Sequence, residues 1–470
     1  MIPILFWISA LAFEQPSAEV PACAFWADAF RVGFKTPEQV DRLIADVQLA
    51  RCNAVFIEVR LDGYSYYLRS LEPPHQDREY SKGFDALEYA IYKAHEIGIE
   101  VHAWFPVYPL WRSARPPEDD RHIWYRHGPA AEGRDMWMTL SSTGGISTSL
   151  DPGHPDALRY LADVIVDPVR HYDLDGVHLD YVRYPETAAF GYNPVALERF
   201  ERSGLTSFAE FRRRQVTDLV RQVSLRVHAI KPIVVVSAAV ITWGNGPVND
   251  TGYRALDAYS RVFQDWRGWL EEGLIDLAMP MSYFREPANS GFLTRWLDYY
   301  KDRQYNRRIF AGLGSYLNSI ADSKLQIDRV RERGLGVAHY SYASTNILDA
   351  RGFPIEPNEA FYRAVGERLP ELTPLRIHET MPWMSQRGGA MGWLVSEQSD
   401  GVTAVLESDD GAEFAPRRMS TDGTGFFGFV DLPAGRYRIR FLDRVTEEEI
   451  FRTIAMDVRA GEVTEFDGRY

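Results

Sequence analysis

The regular alternation of strand-like and helix-like segments most constrains what this chain of 470 residues can fold into. Eight short apolar runs alternate with eight longer runs whose apolar residues recur at helical spacing, as Val40, Leu43 and Val47 do in the first of them. We predict strands at 22–28, 54–60, 99–105, 176–182, 233–241, 276–283, 309–314 and 336–342. We predict helices at 36–52, 84–98, 154–172, 207–230, 256–272, 291–303, 320–333 and 357–367.

Eight strand–helix pairs are typical of a (β/α)8 TIM barrel, an α/β fold. The alternative is an open, doubly wound sheet, but no glycine-rich phosphate-binding sequence follows the first strand candidate. We therefore expect residues 19–370 to form a barrel.

The pattern changes after Arg368. Residues 371–387 are interrupted by Pro and Gly without a clear period, which indicates a linker. Residues 388–470 contain only alternating strand patterns, such as GVTAVLES and GRYRIRFL, separated by turns such as STDGTG. We expect a small all-β sandwich of the immunoglobulin-like type here, with a packing role.

The N-terminal run MIPILFWISALAF is too short to span a bilayer but is typical of the apolar region of a secretory signal. Small residues at 10–12 and 16–18 provide cleavage sites. We predict a signal peptide at 1–18 and an exported protein (periplasm, cell surface or extracellular) without stable membrane insertion. The alternatives are a buried N-terminal segment and, because Cys23 follows Val20-Pro21-Ala22, lipidation.

The two cysteines, Cys23 and Cys52, exclude a cysteine-built zinc site and a disulfide-framework fold. We expect two separate buried thiols. In an exported chain the alternative is one bridge between them, since each begins a neighbouring strand.

The formal net charge of −14, without a dense Lys/Arg run, argues against a nucleic-acid partner. The first strand reads FWAD and lacks the His-x-His of many metal-dependent hydrolases, so we expect no metal and no cofactor.

The stretch DGVHLDYVRYP, residues 175–185, points to a functional site. Active sites of such barrels lie at the C-terminal ends of the strands. Because side chains alternate along a strand, His178 and Asp180 face the barrel axis, and Asp180 lies at the strand end. We expect Asp180 to be catalytic, although a structural ion pair is the alternative.

Other strand ends carry polar and aromatic residues of the same kind. A carboxylate, His, Tyr, Arg and Trp in one groove are typical of a carbohydrate site. Trp111, Trp124 and Trp137, on the long connection 105–150, are expected to be exposed to sugar rings. The proposed substrate-binding residues are His102, Trp104, Tyr108, His178, Arg183, Tyr184, Tyr283, Tyr340, Arg60 and Asp62.

Glycosidic bond cleavage normally requires an acid and a second carboxylate that acts as nucleophile or base. Glu58 is our leading candidate for the partner of Asp180, followed by Asp28, Asp62 and Glu286. Two alternatives remain at this stage. The histidines at 102 and 178 are equally consistent with satisfied interior residues, and Glu58 with an ion pair to Arg60 or to a neighbouring strand.

The chain resembles the glycosyl-hydrolase-like family 10 of bacterial proteins. NAVFIEVRLDGYSYYLRS, GIEVHAWFPVY, LDPGHPDALRYLADVIVDPVRHYDLDGVHLDYVRYP, AMPMSYF and GLGSYLN match its blocks in order, between about Phe25 and Phe361. The resemblance implies a glycoside-hydrolase-like barrel in which Asp180 leads catalysis. It also implies a polysaccharide substrate, since some members act on peptidoglycan glycan strands stripped of their peptides.

DGVHLD also looks like the DG-x-R-x-D nucleophile strand of the alpha-amylase superfamily, with His178 in place of Arg. The fifth strand, however, lacks the acidic residue which that pattern expects, so the second acid is not assigned by resemblance. Tyr283 is similar to a chitinase tyrosine that holds an N-acetyl group, which would permit substrate assistance. The leading hypothesis is an exported glycoside hydrolase, and the alternative is a non-catalytic carbohydrate-binding protein on a barrel.

Overall fold

A computed structural model describes residues 22–187, 189–369, 376–411 and 414–469. The predicted signal peptide and residues 371–375 of the predicted linker lie outside the described residues. Eight parallel strands close into a barrel in chain order, with the first strand paired to both the second and the last. The predicted α/β barrel is therefore confirmed. Its strands are β1 (Cys23–Ala27), β2 (Ala54–Glu58), β3 (Glu100–Pro106), β4 (Gly176–Asp180), β5 (Val235–Val240), β6 (Leu277–Ser282), β7 (Arg308–Gly314) and β8 (Gly336–Tyr340).

A helix follows each strand and packs outside the barrel. The first begins as its sequence predicts, because the side chain of Thr36 accepts a hydrogen bond from the backbone N–H of Gln39 and Pro37 occupies the first turn. The barrel helices are α1 (Pro37–Leu49), α2 (Ala86–His95), α3 (Pro155–His171), α4 (Phe208–Ile230), α5 (Trp266–Glu272), α6 (Ser290–Lys301), α7 (Ile320–Arg331) and α8 (Asn358–Gly366). Shorter helices are Trp124–His127, Pro194–Arg202, Asp250–Arg254, Asp257–Ser260 and Trp383–Gln386.

The prediction of one continuous helix at 256–272 is wrong. The chain forms a single turn at Asp257–Ser260, takes a left-handed backbone conformation at Phe263 (φ 58°) and restarts at Trp266. Asp265 caps the restart by accepting a hydrogen bond from Gly268 N. The capping side chain thus starts a new helix inside a segment whose apolar periodicity predicts one continuous helix.

Residues 376–387, predicted as linker, close the bottom of the barrel. Ile377 and Met381 are buried against the interior side chains Trp26 and Phe56 in one apolar cluster. The backbone N–H of Ile377 donates to a carboxylate oxygen of Glu100, 2.6 Å away. The segment therefore packs tightly where the sequence shows no periodic pattern.

The described residues between 388 and 469 form two β-sheets, which confirms the all-β C-terminal region. Phe427 of one sheet packs edge-on against Phe441 of the other, with ring centroids 5.0 Å apart. Three strands, β9 (Gly388–Val395), β12 (Phe426–Leu432) and β16 (Val463–Arg469), make the first sheet, in which β9 and β16 are parallel. The second contains β10 (Thr403–Ser408), β11 (Arg417–Ser420), β13 (Gly435–Leu442), β14 (Glu449–Arg452) and β15 (Met456–Val458).

The all-β region contacts the barrel through α4 and the helix Pro194–Arg202. Arg199 forms a two-pronged ion pair with Asp400, at 2.7 and 3.0 Å. Gln222 of α4 donates to Asp422 at 2.8 Å, and Leu225 lies against Gly428. The glycine is required at this contact, because a Cβ there would meet a Leu225 methyl at 2.2 Å.

The two cysteines form a disulfide, with Cα atoms 4.5 Å apart, at the bottom of the barrel. The expectation of two separate thiols is therefore wrong. Both cysteines are fully buried, and the packing of the chain around them brings their sulfur atoms together. In the part of the chain that the structure describes, no helix is both long enough and apolar enough to cross a membrane.

Candidate active site

Three carboxyl groups meet at the C-terminal mouth of the barrel. Asp28 directly follows β1, and Glu58 and Asp180 are the last residues of β2 and β4. They are 4%, 2% and 5% exposed. Burial raises the pKa of Glu58 well above its ordinary value, and the charges of Asp28 and Asp180 raise it further. Their proximity is also visible in the contacts: Ala29, next to Asp28, donates its backbone N–H to Glu58, and Trp104, which pairs with Glu58 in the sheet, donates to Asp180.

The carboxyl group of Asp180 is surrounded by groups that can only donate hydrogen bonds. The indole Nε1 of Trp104 donates to Oδ2 at 3.2 Å, and the backbone N–H of Tyr181 donates to Oδ1 at 2.6 Å. Arg183 Nη1 lies 3.8 Å from Oδ1. Burial raises the pKa of Asp180, while Arg183 and the two donors oppose that rise. Both oxygens are therefore fixed in place by neighbours that favour the ionised form.

Glu58 is the group in this cluster that most readily keeps its proton. Its Oε2 accepts a hydrogen bond from Ala29 N at 2.7 Å, which alone cannot offset burial beside two other carboxyl groups. Asp28 accepts from Phe30 N at 3.1 Å, and a hydrogen bond from Ser341 opposes the rise in pKa that burial causes. The candidate acid Glu58 thus ends β2 and the candidate carboxylate Asp180 ends β4, with β3 between the two strands.

An aromatic wall completes the mouth. The rings of Tyr283, which follows β6, and Tyr340, which ends β8, are stacked with centroids 5.4 Å apart. Tyr316 meets both rings edge-on. Burial raises the pKa of Tyr340, and Asp28, Glu58 and Asp180 add to the effect, so its hydroxyl stays protonated and remains a hydrogen-bond donor.

His178 faces the axis as predicted but lies one level below the mouth. Its Nε2 accepts from the indole N–H of Trp26 at 3.0 Å, and its Nδ1 is 2.9 Å from Ser237 Oγ. Since an indole only donates, Nε2 carries no hydrogen and the ring is neutral. Burial lowers the pKa of His178 well below its ordinary value, which agrees with this assignment.

His102 lies in the barrel interior, where its ring stacks on Phe56 at 4.3 Å and its Nε2 is 3.1 Å from Glu100. A substrate-binding role therefore does not fit either histidine. His178 has a partner at both ring nitrogens, as the interior alternative expects, whereas Nδ1 of the interior His102 has none among the described residues.

Three further predicted binding residues are enclosed by protein. Arg60 makes a two-pronged ion pair with Glu72, both contacts at 2.8 Å, so the alternative in which Glu58 pairs with Arg60 does not hold. Tyr108 and Tyr184 are buried in the main apolar core, and among the described residues neither hydroxyl has a hydrogen-bond partner. A role in direct substrate binding does not fit these side chains. Glu286, a minor candidate for the second acid, pairs with Arg329 at 2.7 Å.

The rim of the mouth contains residues that the sequence did not single out. Tyr181 is 40% exposed, has a left-handed backbone (φ 47°), and its ring lies 4.3 Å from the guanidinium carbon of Arg183. Arg112 donates from Nε to Asp62 at 2.6 Å and lies over the ring of Phe30. Tyr181 adjoins Asp180 in sequence, whereas Phe30 and Arg112 lie on aperiodic loops that give no signal.

The long connection 105–150 does not present all its indoles to solvent. Trp137 is buried, with its ring stacked 3.6 Å from that of His127. Trp111 and Trp124 are half-buried. The expectation of exposed indoles is therefore wrong for Trp137. Among the described residues, no group of three or more His, Cys, Asp and Glu side chains is arranged to hold a metal ion.

Comparison with known proteins places this geometry in context. The family model described as Glycosyl hydrolase-like 10 matches residues 23–329. Glycosyl hydrolase YngK of Bacillus subtilis (strain 168) is 26% identical over 286 residues, 58% of this chain and 54% of the relative. Glycosyl hydrolase DigH of Escherichia coli (strain K12) is 29% identical over 287 residues, 56% of this chain and 62% of the relative. The chain thus matches less than two thirds of the length of either relative.

Among solved structures, the catalytic domain of beta-amylase from Paenibacillus polymyxa superposes with a TM-score of 0.51. The two sequences are 10% identical, and the superposition includes 74% of this chain and 98% of the beta-amylase domain. At this identity the likeness is one of fold alone.

Proposed function

The chain belongs to the glycosyl hydrolase-like 10 family, and from that membership together with its mouth geometry we propose that it is a glycoside hydrolase. The observation that carries the proposal is the pairing of two buried carboxyl groups with different proton affinities. Asp180 is bonded by donors on both oxygens, whereas Glu58 has a pKa raised well above its ordinary value. Hydrolysis of a glycosidic bond requires one group of each kind.

In the proposed mechanism, protonated Glu58 donates its proton to the oxygen of the leaving sugar as the bond to the anomeric carbon breaks. The carboxylate of Asp180 stabilises the positive charge that develops on that carbon. A water molecule then bonds to the carbon, and the proton that it releases returns to Glu58, which restores the starting state. Trp104 keeps Asp180 oriented toward the mouth. Tyr283 and Tyr340 supply an aromatic surface and hydroxyl donors for the sugar, including the acetamido group that substrate assistance would use.

We propose a polysaccharide substrate, with the peptide-free glycan strands of peptidoglycan as the first choice, as the family resemblance implies. We further propose that the protein is exported. The apolar N-terminal run supports this, and so does the disulfide, because disulfides persist mainly in oxidising compartments.

The test compares wild type with Asp180→Asn on peptide-free peptidoglycan strands, chitin oligomers and common glucans, with new reducing ends as the readout. We expect wild-type cleavage of at least one glycan and a loss of roughly a hundredfold or more in the variant. Asp119→Asn is the matched control, since Asp119 pairs with Arg121 on the long loop. Tight binding by wild type without new reducing ends would favour the carbohydrate-binding alternative.

A further inference from the structure

Arginines lie on several of the loops around the acidic mouth of the barrel. The formal net charge is −14, yet loops after four different barrel strands bring arginines to the site. Arg31 follows β1, Arg112 follows β3, Arg183 follows β4 and Arg285 follows β6. Arg183 lies 3.8 Å from Asp180, and the charge of Arg112 opposes the rise in pKa that burial causes at Glu58. Carboxyl groups thus form the floor of the mouth, and at its rim Arg112 and Arg183 lie beside Asp62 and Glu186.

Arg112 is the rim residue whose guanidinium group is both held in place and accessible to a ligand. Its Nε is used by Asp62 at 2.6 Å, and its guanidinium lies over the ring of Phe30, 5.2 Å from the centroid. Phe30 is 60% exposed, and the side chain of Arg112 is 37% exposed. Within the described ranges, no hydrogen-bond partner is seen for either terminal nitrogen of Arg112. Asp62 and Phe30 thus hold the planar fork while its two Nη groups remain available.

This arrangement matches one ligand chemistry. A guanidinium fork presents parallel N–H groups at the spacing of the two oxygens of a carboxylate, and its preorganisation reduces the entropy lost on binding. A neutral glycan would need no such group. An acidic glycan would be repelled by the negative charges of Asp28 and Asp180 unless a cation at the rim compensated for them.

We propose, on the basis of the glycoside hydrolase function proposed above, that Arg112 is a specificity-determining residue that binds a carboxylate carried by a sugar next to the scissile bond. The apolar face of that sugar rests on Phe30, and its carboxylate accepts hydrogen bonds from the two Nη groups. The enzyme therefore selects acidic glycans over neutral ones of the same backbone. The competing explanation is that Arg112 serves only to shape its loop through the ion pair with Asp62.

The test uses short peptide-free peptidoglycan strands, whose acidic sugars carry carboxylates, and the same strands after reduction of those carboxylates to primary alcohols. Binding is measured by titration calorimetry on the full chain carrying Asp180→Asn, so that hydrolysis does not consume the ligand. Adding Arg112→Gln is expected to weaken binding of the acidic strands about 10- to 100-fold while leaving the reduced strands within about twofold. Arg112→Lys should fall between, since it keeps the charge but loses the fork.

Arg121→Gln is the matched control, because Arg121 forms a similar pair with Asp119 on the same loop, and it should change neither affinity. Equal weakening for both glycans, or no weakening for the acidic one, would overturn the proposal, as would binding of neither glycan. The two proposals fail separately. Arg112-dependent binding without wild-type cleavage would refute the hydrolase and leave the carboxylate site, whereas cleavage of both glycans at equal rates would do the reverse.

Discussion

Replacing Trp104 with phenylalanine should impair catalysis in a pH-dependent way. The change removes the indole N–H that donates to Asp180 Oδ2 at 3.2 Å and retains an aromatic ring in the buried site. A hydrogen bond to a buried charged acceptor contributes about 1.5–3 kcal/mol. Because the lost bond favours the ionised form of Asp180, its removal raises the pKa of that carboxyl further.

The sign of the pH effect follows from the proposed roles. Activity requires ionised Asp180 and protonated Glu58, so the pH profile of kcat/KM is bell-shaped, with Asp180 on its acid limb and Glu58 on its basic limb. Trp104→Phe should move the acid limb to higher pH and leave the basic limb in place. On the acid side the loss should reach about ten- to a hundredfold, which is the bond energy expressed as a rate ratio. Near the basic limb most of the activity should remain.

The assay is a pH series of initial rates on the glycan that wild type cleaves best. Trp393→Phe is the control, since Trp393 belongs to the all-β region and packs edge-on against Phe426. A uniform loss at every pH would show that Trp104 acts only through packing. An unchanged acid limb would refute the assignment of Asp180 to it.

Two other substitutions test the acid and the disulfide. Glu58→Gln should reduce cleavage of natural glycans by roughly a hundredfold or more and abolish the basic limb, while aryl glycosides whose leaving groups need no proton retain most of their rate; an equal loss on both substrates would contradict an acid role. Cys23→Ser combined with Cys52→Ser should lower the free energy of unfolding by about 3–4 kcal/mol, from the entropy of opening a loop whose ends are 29 positions apart, as measured by urea denaturation. A change below about 1 kcal/mol would show that the unfolded chain gains little freedom from the loss of the bridge.

A large part of the candidate site could be predicted from the sequence. Parallel strands of a barrel end at one mouth, so a polar residue at the end of a strand candidate is expected there without further information. That rule identifies Asp180, Glu58 and Trp104. Alternation along the strand also places His178 toward the axis, but it does not report depth, and the histidine lies one level lower against Trp26.

Contacts between side chains of different loops could not be predicted from the sequence. Arg60 pairs with Glu72 across a loop, and no local pattern distinguishes that partner from the nearer Glu58. Arg112 gives no signal either, because its position over Phe30 depends on how two aperiodic loops pack. Tyr108 and Tyr184 follow strand ends, as a site residue would, yet their side chains turn into the core.

Hydrophobic periodicity and cap residues by themselves determined the eight-stranded barrel, the all-β C-terminal region and the strand that ends in Asp180. These features follow from interactions between residues a few positions apart, and such spacings are visible in the sequence itself. Only the tertiary structure decided that Cys23 and Cys52 are joined, that residues 376–387 close the barrel floor, and that burial together with Asp28 and Asp180 raises the pKa of Glu58. Burial and charge proximity are properties of distant segments brought together, and they are set by packing in three dimensions rather than by spacing along the chain.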